Sequence, residues 1–174
     1  MSGTPRLLIA DADVIIRLHE LELWEKVVEH YKVCVAKTVA EKEVKYYDRR
    51  IGGILDRRSI NLTLDPRIEI VEPEATSLMI FQNKLDVLDR KSIEIGELET
   101  LAATLERLDD GVQACLIDEF AIKCAVLAGL GERCISVETA LAHCGGATKL
   151  PFALSNARFG RIVQEAKTRR IQNL

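Results

Sequence analysis

The stretch Arg-Leu-Leu-Ile-Ala-Asp-Ala-Asp-Val-Ile-Ile at residues 6–16 decides the fold. Residues 6–12 are short and apolar, which is typical of a strand covered on both faces of a parallel sheet. Asp11 and Asp13 interrupt the apolar run where this strand should end, so the run is not the core of a signal peptide. Residues 14–31 then carry apolar side chains at helical spacing. The stretch therefore predicts a buried strand that leads into a helix.

The alternation of short apolar strands with longer amphipathic helices continues along the chain. Further strands are predicted at residues 32–36, 68–71, 113–118 and 133–137, and further helices at residues 74–91, 97–108, 119–130, 138–144 and 152–171. Such alternation favours β-α-β units. We therefore predict an α/β fold, a three-layer α/β/α sandwich with a central parallel sheet, formed by residues 1–174 as one domain.

The composition of the chain limits the classes of protein to which it can belong. Of 174 residues, 24 are Lys or Arg and 27 are Asp or Glu, and 48% are hydrophobic, as in an ordinary folded domain. No apolar stretch approaches the roughly 20 residues that cross a membrane. The five cysteines contain no C-x-x-C pair, which predicts reduced, buried thiols in a cytoplasmic protein. The net charge of −3 disfavours a nucleic-acid partner only if the charges are evenly spread.

Carboxylates recur where predicted strands end or the next helices begin. They come from four separate segments of the chain: Asp11 and Asp13, Glu41, Glu97 and Glu99, and Asp118 and Glu119. Ligands of parallel α/β sheets bind beyond the carboxyl ends of the strands. The four segments are therefore predicted to meet at one edge of the sheet.

Clustered carboxylates repel one another unless a cation lies among them. Mg²⁺ and Mn²⁺ prefer such oxygen ligands, and a metal held by carboxylates can activate water against a phosphodiester. Taken singly, each acid also has a structural explanation. Asp118 and Glu119 could cap a helix, Glu97 and Glu99 could complement a helix N-terminus, and Glu41 could be solvated.

Four pieces of the sequence, in order, resemble the PIN-domain family. They are L-L-I-A-D-A-D-V-I-I at residues 7–16, V-A-K-T-V-A-E-K-E-V at 35–44, I-G-E-L-E-T-L-A-A-T at 95–104 and L-I-D-E-F-A-I-K-C-A-V-L-A-G-L at 116–130. The resemblance implies a Rossmann-like sheet and a ribonuclease that depends on Mg²⁺ or Mn²⁺. It implies as catalytic and metal-binding acids Asp11, Glu41, Glu99 and Asp118, with Glu97 as a further metal ligand and Thr139 as an accessory residue. Asp13 and Glu119 are predicted as accessory residues from their positions beside Asp11 and Asp118 at the predicted strand ends.

The chain departs from the family pattern at two positions. Asp13 stands where the family usually has Ser, Asn or Thr, and Glu138 stands where glycine commonly precedes the residue equivalent to Thr139. The chain is also longer than the compact PIN toxins of bacterial toxin–antitoxin pairs. The implied partners are RNA and an antitoxin-like protein, and apolar residues within 14–31 or 74–91 suggest a homodimer.

Residues 48–67 interrupt the regular alternation and contain two turn signals, Gly52-Gly53 and Asp65-Pro66. We interpret them as an irregular basic insertion with a short hairpin. The arginines are Arg49, Arg50, Arg57, Arg58 and Arg67. The first four are predicted to contact RNA phosphates. The alternative is that the arginines of this segment are solvated and paired with Asp48, Asp56 and Asp65.

Two other functions remain open from the sequence. The motif I-A-D-A-D-V-I also resembles the opening of haloacid-dehalogenase-type phosphatases, in which Asp11 would be the nucleophile and Asp13 the acid or base. That interpretation lacks a clear lysine motif and leaves Glu41, Glu97 and Glu99 without a role. The second is a non-catalytic PIN-like module that binds RNA or protein.

Overall fold

A computed structural model describes residues 6–145 and 149–172. Its main sheet is parallel and has five strands: β1 (Arg6–Ala10), β2 (Tyr31–Ala36), β5 (Ile68–Val71), β6 (Gln113–Cys115) and β7 (Cys134–Ile135). Their order across the sheet is β5-β2-β1-β6-β7. The order reverses direction between β1 and β6, which is where open α/β sheets bind ligands. The predicted parallel sheet is confirmed.

Eight α-helices occur in the described ranges. They are α1 (Ala12–Glu20), α2 (Trp24–His30), α3 (Ala75–Asn83), α4 (Val87–Ser92), α5 (Ile95–Glu106), α6 (Glu119–Leu127), α7 (Val137–His143) and α8 (Asn156–Gln172). Helices α1, α2 and α7 pack on one face of the sheet, and α3, α5, α6 and α8 contribute to the apolar cluster on the other. Along β1, Leu8 and Ala10 belong to the apolar cluster that α1, α2 and α7 cover, whereas Ile9 belongs to a separate small cluster, as the two-residue period of a strand requires. The predicted three-layer sandwich is confirmed.

Two predicted helices are each broken in two. The prediction of one helix over residues 14–31 is wrong, because the chain turns at Glu22, which has φ of 59°. The Leu23 amide donates to the Leu18 carbonyl at 2.8 Å and closes this turn. The prediction of one helix over residues 74–91 is also wrong, because Asp86 starts α4 by accepting hydrogen bonds from the Leu88 and Asp89 amides.

Two strands of the main sheet end earlier than predicted. Strand β1 ends at Ala10 and β6 at Cys115, whereas the sequence predicted ends at residues 12 and 118. Asp11 and Asp118 therefore occupy the positions that begin α1 and α6. Both lie in strand-to-helix junctions at the carboxyl edge of the sheet.

The basic insertion contains the predicted hairpin. Strands β3 (Tyr46–Ile51) and β4 (Ile54–Ser59) pair antiparallel around Gly52 and Gly53, whose φ values of 58° and 86° suit glycine in a tight hairpin turn. Tyr47 stacks on His19 of α1 with ring centroids 5.2 Å apart. The hairpin is thereby attached to the helical layer next to β1.

All five cysteines are free thiols, and the prediction that they are buried holds for four of them but not for Cys144, which is half-buried. Cys34, Cys115, Cys124 and Cys134 are buried, and burial raises the pKa of each thiol. Within residues 6–145 and 149–172, no helix has the length and apolar character needed to cross a membrane.

Candidate active site

The candidate site lies where β1 and β6 end side by side. The Asp11 amide donates to the Cys115 carbonyl at 3.4 Å, which ties the end of β1 to the end of β6. Asp118 follows β6 and accepts a hydrogen bond from the Ala121 amide at 2.9 Å, so it caps α6. Two of the sequence-predicted acids are therefore fixed at the point where the strand order reverses.

Asp11 is buried, with 3% of its surface exposed. Burial raises the pKa of Asp11 to about 7, and the negative charges of Asp13, Glu43 and Asp118 raise it further, against a lowering by the Ala12 amide. Each of these causes except the Ala12 hydrogen bond disfavours the charged carboxylate. Asp11 is thus held where its negative charge is poorly compensated.

Glu97 joins the same site from the N-terminus of α5. Its side chain accepts from the Glu94 amide at 3.3 Å, and the two glutamates form a capping box. Burial raises the pKa of Glu97 to about 8, with further raising by Asp118, Asp11 and Glu94. The start of α5 therefore lies close enough to β1 and β6 for their carboxylates to interact through charge.

Glu43, rather than Glu41, is the acid after β2 that acts on Asp11. Burial raises the pKa of Glu43, and Glu94, Glu99 and Asp13 raise it further while the Gly96 amide lowers it. Glu41 is exposed and acts instead on Lys37. The sequence singled out Glu41 because the family resemblance implies that residue, and no signal in the sequence favoured Glu43.

A π-helical turn at Val39–Glu43 explains this exchange of roles. The Val44 amide donates to the Val39 carbonyl at 2.9 Å, five residues back. This wider turn changes which residues share a face, and such turns occur often at functional sites. No spacing rule in the sequence distinguishes Glu43 from Glu41 before this turn is known.

Glu99 is close to the site but is occupied by hydrogen bonds. It accepts from the Thr38 amide at 2.9 Å and from the Thr38 hydroxyl at 2.8 Å, through different carboxylate oxygens. These bonds join α5 to the end of β2. In this arrangement Glu99 orients the helix that carries Glu97 and contributes negative charge near Glu43.

The three accessory residues lie around the acids in different settings. Asp13 is exposed on the first turn of α1. Glu119 accepts from the Lys123 ammonium at 2.6 Å, which lowers the pKa of Glu119. Thr139 donates to the Asn156 side chain at 2.7 Å and so links α7 to the start of α8. Of these three, only Asp13 contributes to the raised pKa of Asp11.

The acids of the site form no ion pairs in the described part of the chain, although the charge of Glu99 acts on Lys37. There, the recorded ion pairs involve none of the carboxylates of Asp11, Asp13, Glu43, Glu97, Glu99 and Asp118. Among the same described residues, no three His, Cys, Asp or Glu side chains converge as a formed metal site. The carboxylates thus act on one another through their charges without meeting at one point.

Comparisons with protein-family models, curated proteins and solved structures find no match. Function is therefore inferred from the residues of this chain.

The five arginines of residues 48–67 are largely engaged within the protein. Arg57 donates to Asp48 at 2.9 Å and Arg58 donates to Asp56 at 2.8 Å. Of the remaining three, Arg49 pairs with Glu22 and Arg67 with Glu25 and Asp65, whereas Arg50 is exposed with no ion pair recorded within the described ranges. The pairs with Asp48, Asp56 and Asp65 match the alternative that the sequence left open, in which aspartates of the segment pair with its arginines, whereas Glu22 and Glu25 are partners from outside the segment.

Proposed function

We propose that this protein is a divalent-metal-dependent ribonuclease that hydrolyses RNA phosphodiester bonds at the carboxyl edge of its parallel sheet. The observation that carries the proposal is the state of Asp11. It is buried with a pKa of about 7, among acids that act on it from α1, α6 and the π-helical turn. Uncompensated negative charge of this kind is costly unless a cation binds.

The acids fit a hard divalent cation such as Mg²⁺ or Mn²⁺. Among the described residues these side chains do not already converge on one point. Asp11, Asp118, Glu97 and Glu43 would hold the cation by moving together around it, since each has carboxylate oxygens to offer and none forms an ion pair within the described residues. A metal bound there supplies an activated water and stabilises charge on a phosphoryl oxygen. Glu99 positions α5 through Thr38, and Asp13 and Glu119 lie at the rim.

Protons occupy part of this site near neutral pH. Because the pKa values of Asp11 and Glu97 are about 7 and 8, both side chains carry protons for much of the time at pH 7. A cation must displace these protons before it binds. We therefore expect metal affinity and cleavage to rise together between pH 6 and pH 8.

The test is Mn²⁺-dependent cleavage of a mixed RNA pool by the wild type, by Asp11→Asn and by the exposed control Asp109→Asn. We expect cleavage by the wild type and the control and none by Asp11→Asn. Equal cleavage by all three proteins would overturn the proposal. A covalent phosphoenzyme at Asp11 would favour the phosphatase, and RNA binding without cleavage would favour the non-catalytic module.

Partners and location also belong to the proposal. Free thiols are typical of the cytoplasm, where we place the protein. Helices α3 and α4 expose the apolar side chains of Met79, Ile80, Val87 and Leu88. Such a patch favours a protein contact. We propose a homodimer through this face, and light scattering of the purified protein tests it; an antitoxin-like protein is the other expected partner.

A further inference from the structure

Two basic side chains flank the acids at the carboxyl edge of the sheet. Lys37 directly follows β2, on one side of the site. On the other side, Arg158 of α8 donates from Nη1 to the carbonyl of Ile117 at 2.8 Å, next to Asp118. Because the strand order here is β2-β1-β6, Asp11 at the end of β1 lies between them.

Lys37 is available to an anion from solvent. Its ammonium lies 2.9 Å from Glu72, and both side chains are largely exposed, at 43% and 70%. The pKa of Lys37 is raised, first by the hydrogen bond to Glu72 and also by the charges of Glu41 and Glu99. An exposed ion pair contributes little net stability. A phosphate can therefore replace Glu72 at low cost.

Arg158 is fixed by the backbone and keeps donors for a ligand. The bond to Ile117 holds Nη1, whereas Nη2 lies 3.9 Å from the Glu119 carboxylate, beyond hydrogen-bond distance. Glu119 is itself bound by Lys123 at 2.6 Å. A guanidinium has five N–H donors and suits the oxygens of a phosphate. The side chain is 20% exposed, so a ligand at the sheet edge can reach it.

We propose that Lys37 and Arg158 bind the phosphates on either side of the bond that is cleaved, so that a single RNA strand crosses the sheet edge between β2 and β6. This inference rests on the proposed ribonuclease function. Two strand intervals span about 10 Å, which is the approximate distance between the ends of β2 and β6. The acids would then face the RNA backbone between two positive charges. The path does not require the neutralised arginines of the hairpin.

The test measures binding of a fluorescent single-stranded RNA in Ca²⁺ over a range of salt concentrations. Lys37→Gln and Arg158→Gln are each expected to weaken binding about fivefold. Each should also reduce the slope of log affinity against log salt by about 0.7, the value for one phosphate contact on a single strand.

Lys32→Gln is the matched control. Lys32 lies near the start of β2, at the opposite end from Lys37. It pairs with Glu69 of β5 at 2.8 Å, much as Lys37 pairs with Glu72. We expect its RNA affinity and salt slope to equal those of the wild type. Unchanged binding by both Lys37→Gln and Arg158→Gln would overturn the inference, and so would an equal loss in Lys32→Gln.

Folding and cleavage are measured in parallel to separate the outcomes. Arg158→Gln also loses the bond to the Ile117 carbonyl, so Arg158→Lys, which keeps the charge, should retain the salt slope. If Arg158→Gln unfolds, the comparison of Lys37→Gln with Lys32→Gln decides. If the wild type cleaves RNA but Lys37→Gln and Arg158→Gln bind RNA as tightly as the wild type, the proposed RNA path is wrong and the ribonuclease proposal stands. Binding that depends on Lys37 and Arg158 without cleavage supports the path and overturns only the nuclease, and a wild type that binds no RNA overturns both.

Discussion

The carboxylate of Glu43 lies directly against the backbone of Gly96, at the first turn of α5. A β-carbon added at Gly96 would overlap both carboxylate oxygens of Glu43, and the Gly96 amide lowers the pKa of that carboxylate. The close approach joins the π-helical turn after β2 to the helix that carries Glu97. It is possible only because residue 96 has no side chain.

Gly96→Ala should leave the fold intact and displace Glu43 from the site. Alanine favours the helix by about 1 kcal/mol over glycine, and the atoms that must move are the far end of a flexible side chain. We therefore expect a melting temperature no lower than that of the wild type, with a reduced stabilisation by Mn²⁺. Thermal unfolding with and without Mn²⁺ measures both effects.

Gly160→Ala is the control for that substitution, because Gly160 lies in α8 and an added β-carbon there meets no atom within 4 Å. It should gain the same helix stability and keep the full response to Mn²⁺. A Gly96→Ala protein that responds to Mn²⁺ as strongly as Gly160→Ala would show that Glu43 has no part in cation binding.

Glu43→Gln and Glu41→Gln form a matched pair on one π-helical turn. Since Glu43 acts on Asp11 and is a proposed metal ligand whereas Glu41 is exposed, Glu43→Gln should reduce Mn²⁺-dependent RNA cleavage by at least about 10-fold, the smallest loss expected even for a residue that only supports a metal ligand. Glu41→Gln should change it little. Cleavage rates at saturating Mn²⁺ decide between the two glutamates. A larger loss of cleavage in Glu41→Gln than in Glu43→Gln would support Glu41 as the site residue, as the family resemblance implies.

The parts of the fold that follow from local patterns were predictable. The apolar run of β1 ends at two aspartates, and the Gly52-Gly53 pair marks the hairpin, so both elements appear close to their predicted positions. Asp11 and Asp118 reach the same edge because carboxyl ends of parallel strands meet there. These features depend on hydrophobic periodicity and on backbone conformations that glycine favours.

The features that sequence reasoning missed depend on geometry that no periodicity encodes. The placement of Glu43 depends on one hydrogen bond that spans five residues at Val39. The break at Glu22 depends on a backbone conformation uncommon for glutamate. The pairing of Arg57 with Asp48 depends on the hairpin register, which sets the two residues opposite each other. The sequence therefore left the role of the arginines open.

His19→Phe should stabilise the protein. His19 stacks between Trp24 and Tyr47 with centroids 5.1 and 5.2 Å away, and its Nε2 is buried with no hydrogen-bond partner in the described structure. Phenylalanine keeps the stack and removes the unpaired polar atom, for an expected gain of about 1 kcal/mol in the free energy of unfolding at pH 7. Urea denaturation measures it.

The gain should grow on acidification. Burial lowers the pKa of His19, so the unfolded chain binds the proton more readily and the wild type loses stability as the pH falls below the ordinary histidine pKa of about 6.5. The exposed control His30→Gln should stay within about 0.5 kcal/mol of the wild type. If His19→Phe is less stable than the wild type both at pH 7 and at acidic pH, the imidazole of His19 stabilises the fold and the prediction is wrong.

Without divalent ions, the protein should lose stability as the pH rises from 6 to 8.5. The pKa values of Asp11 and Glu97 are about 7 and 8 in the folded state, above their ordinary values, so the folded state binds more protons than the unfolded state. Stability from these two groups is complete below about pH 4 and is lost as the pH rises through 7 and 8. We expect a loss of about 4 kcal/mol, measured by urea denaturation in EDTA.

The double variant Asp11→Asn/Glu97→Gln separates this effect from other titrations. It lacks both groups but retains His19, whose contribution therefore cancels in the comparison, and Glu69, with a pKa of about 2, does not titrate in this range. Its stability should be higher than that of the wild type at pH 8.5. Mn²⁺ at 100 times its dissociation constant should return about 2.7 kcal/mol to the wild type and nothing to the double variant. A parallel decline of both proteins with pH would show that Asp11 and Glu97 do not hold the extra protons, and the reason for expecting a cation at this edge would be lost.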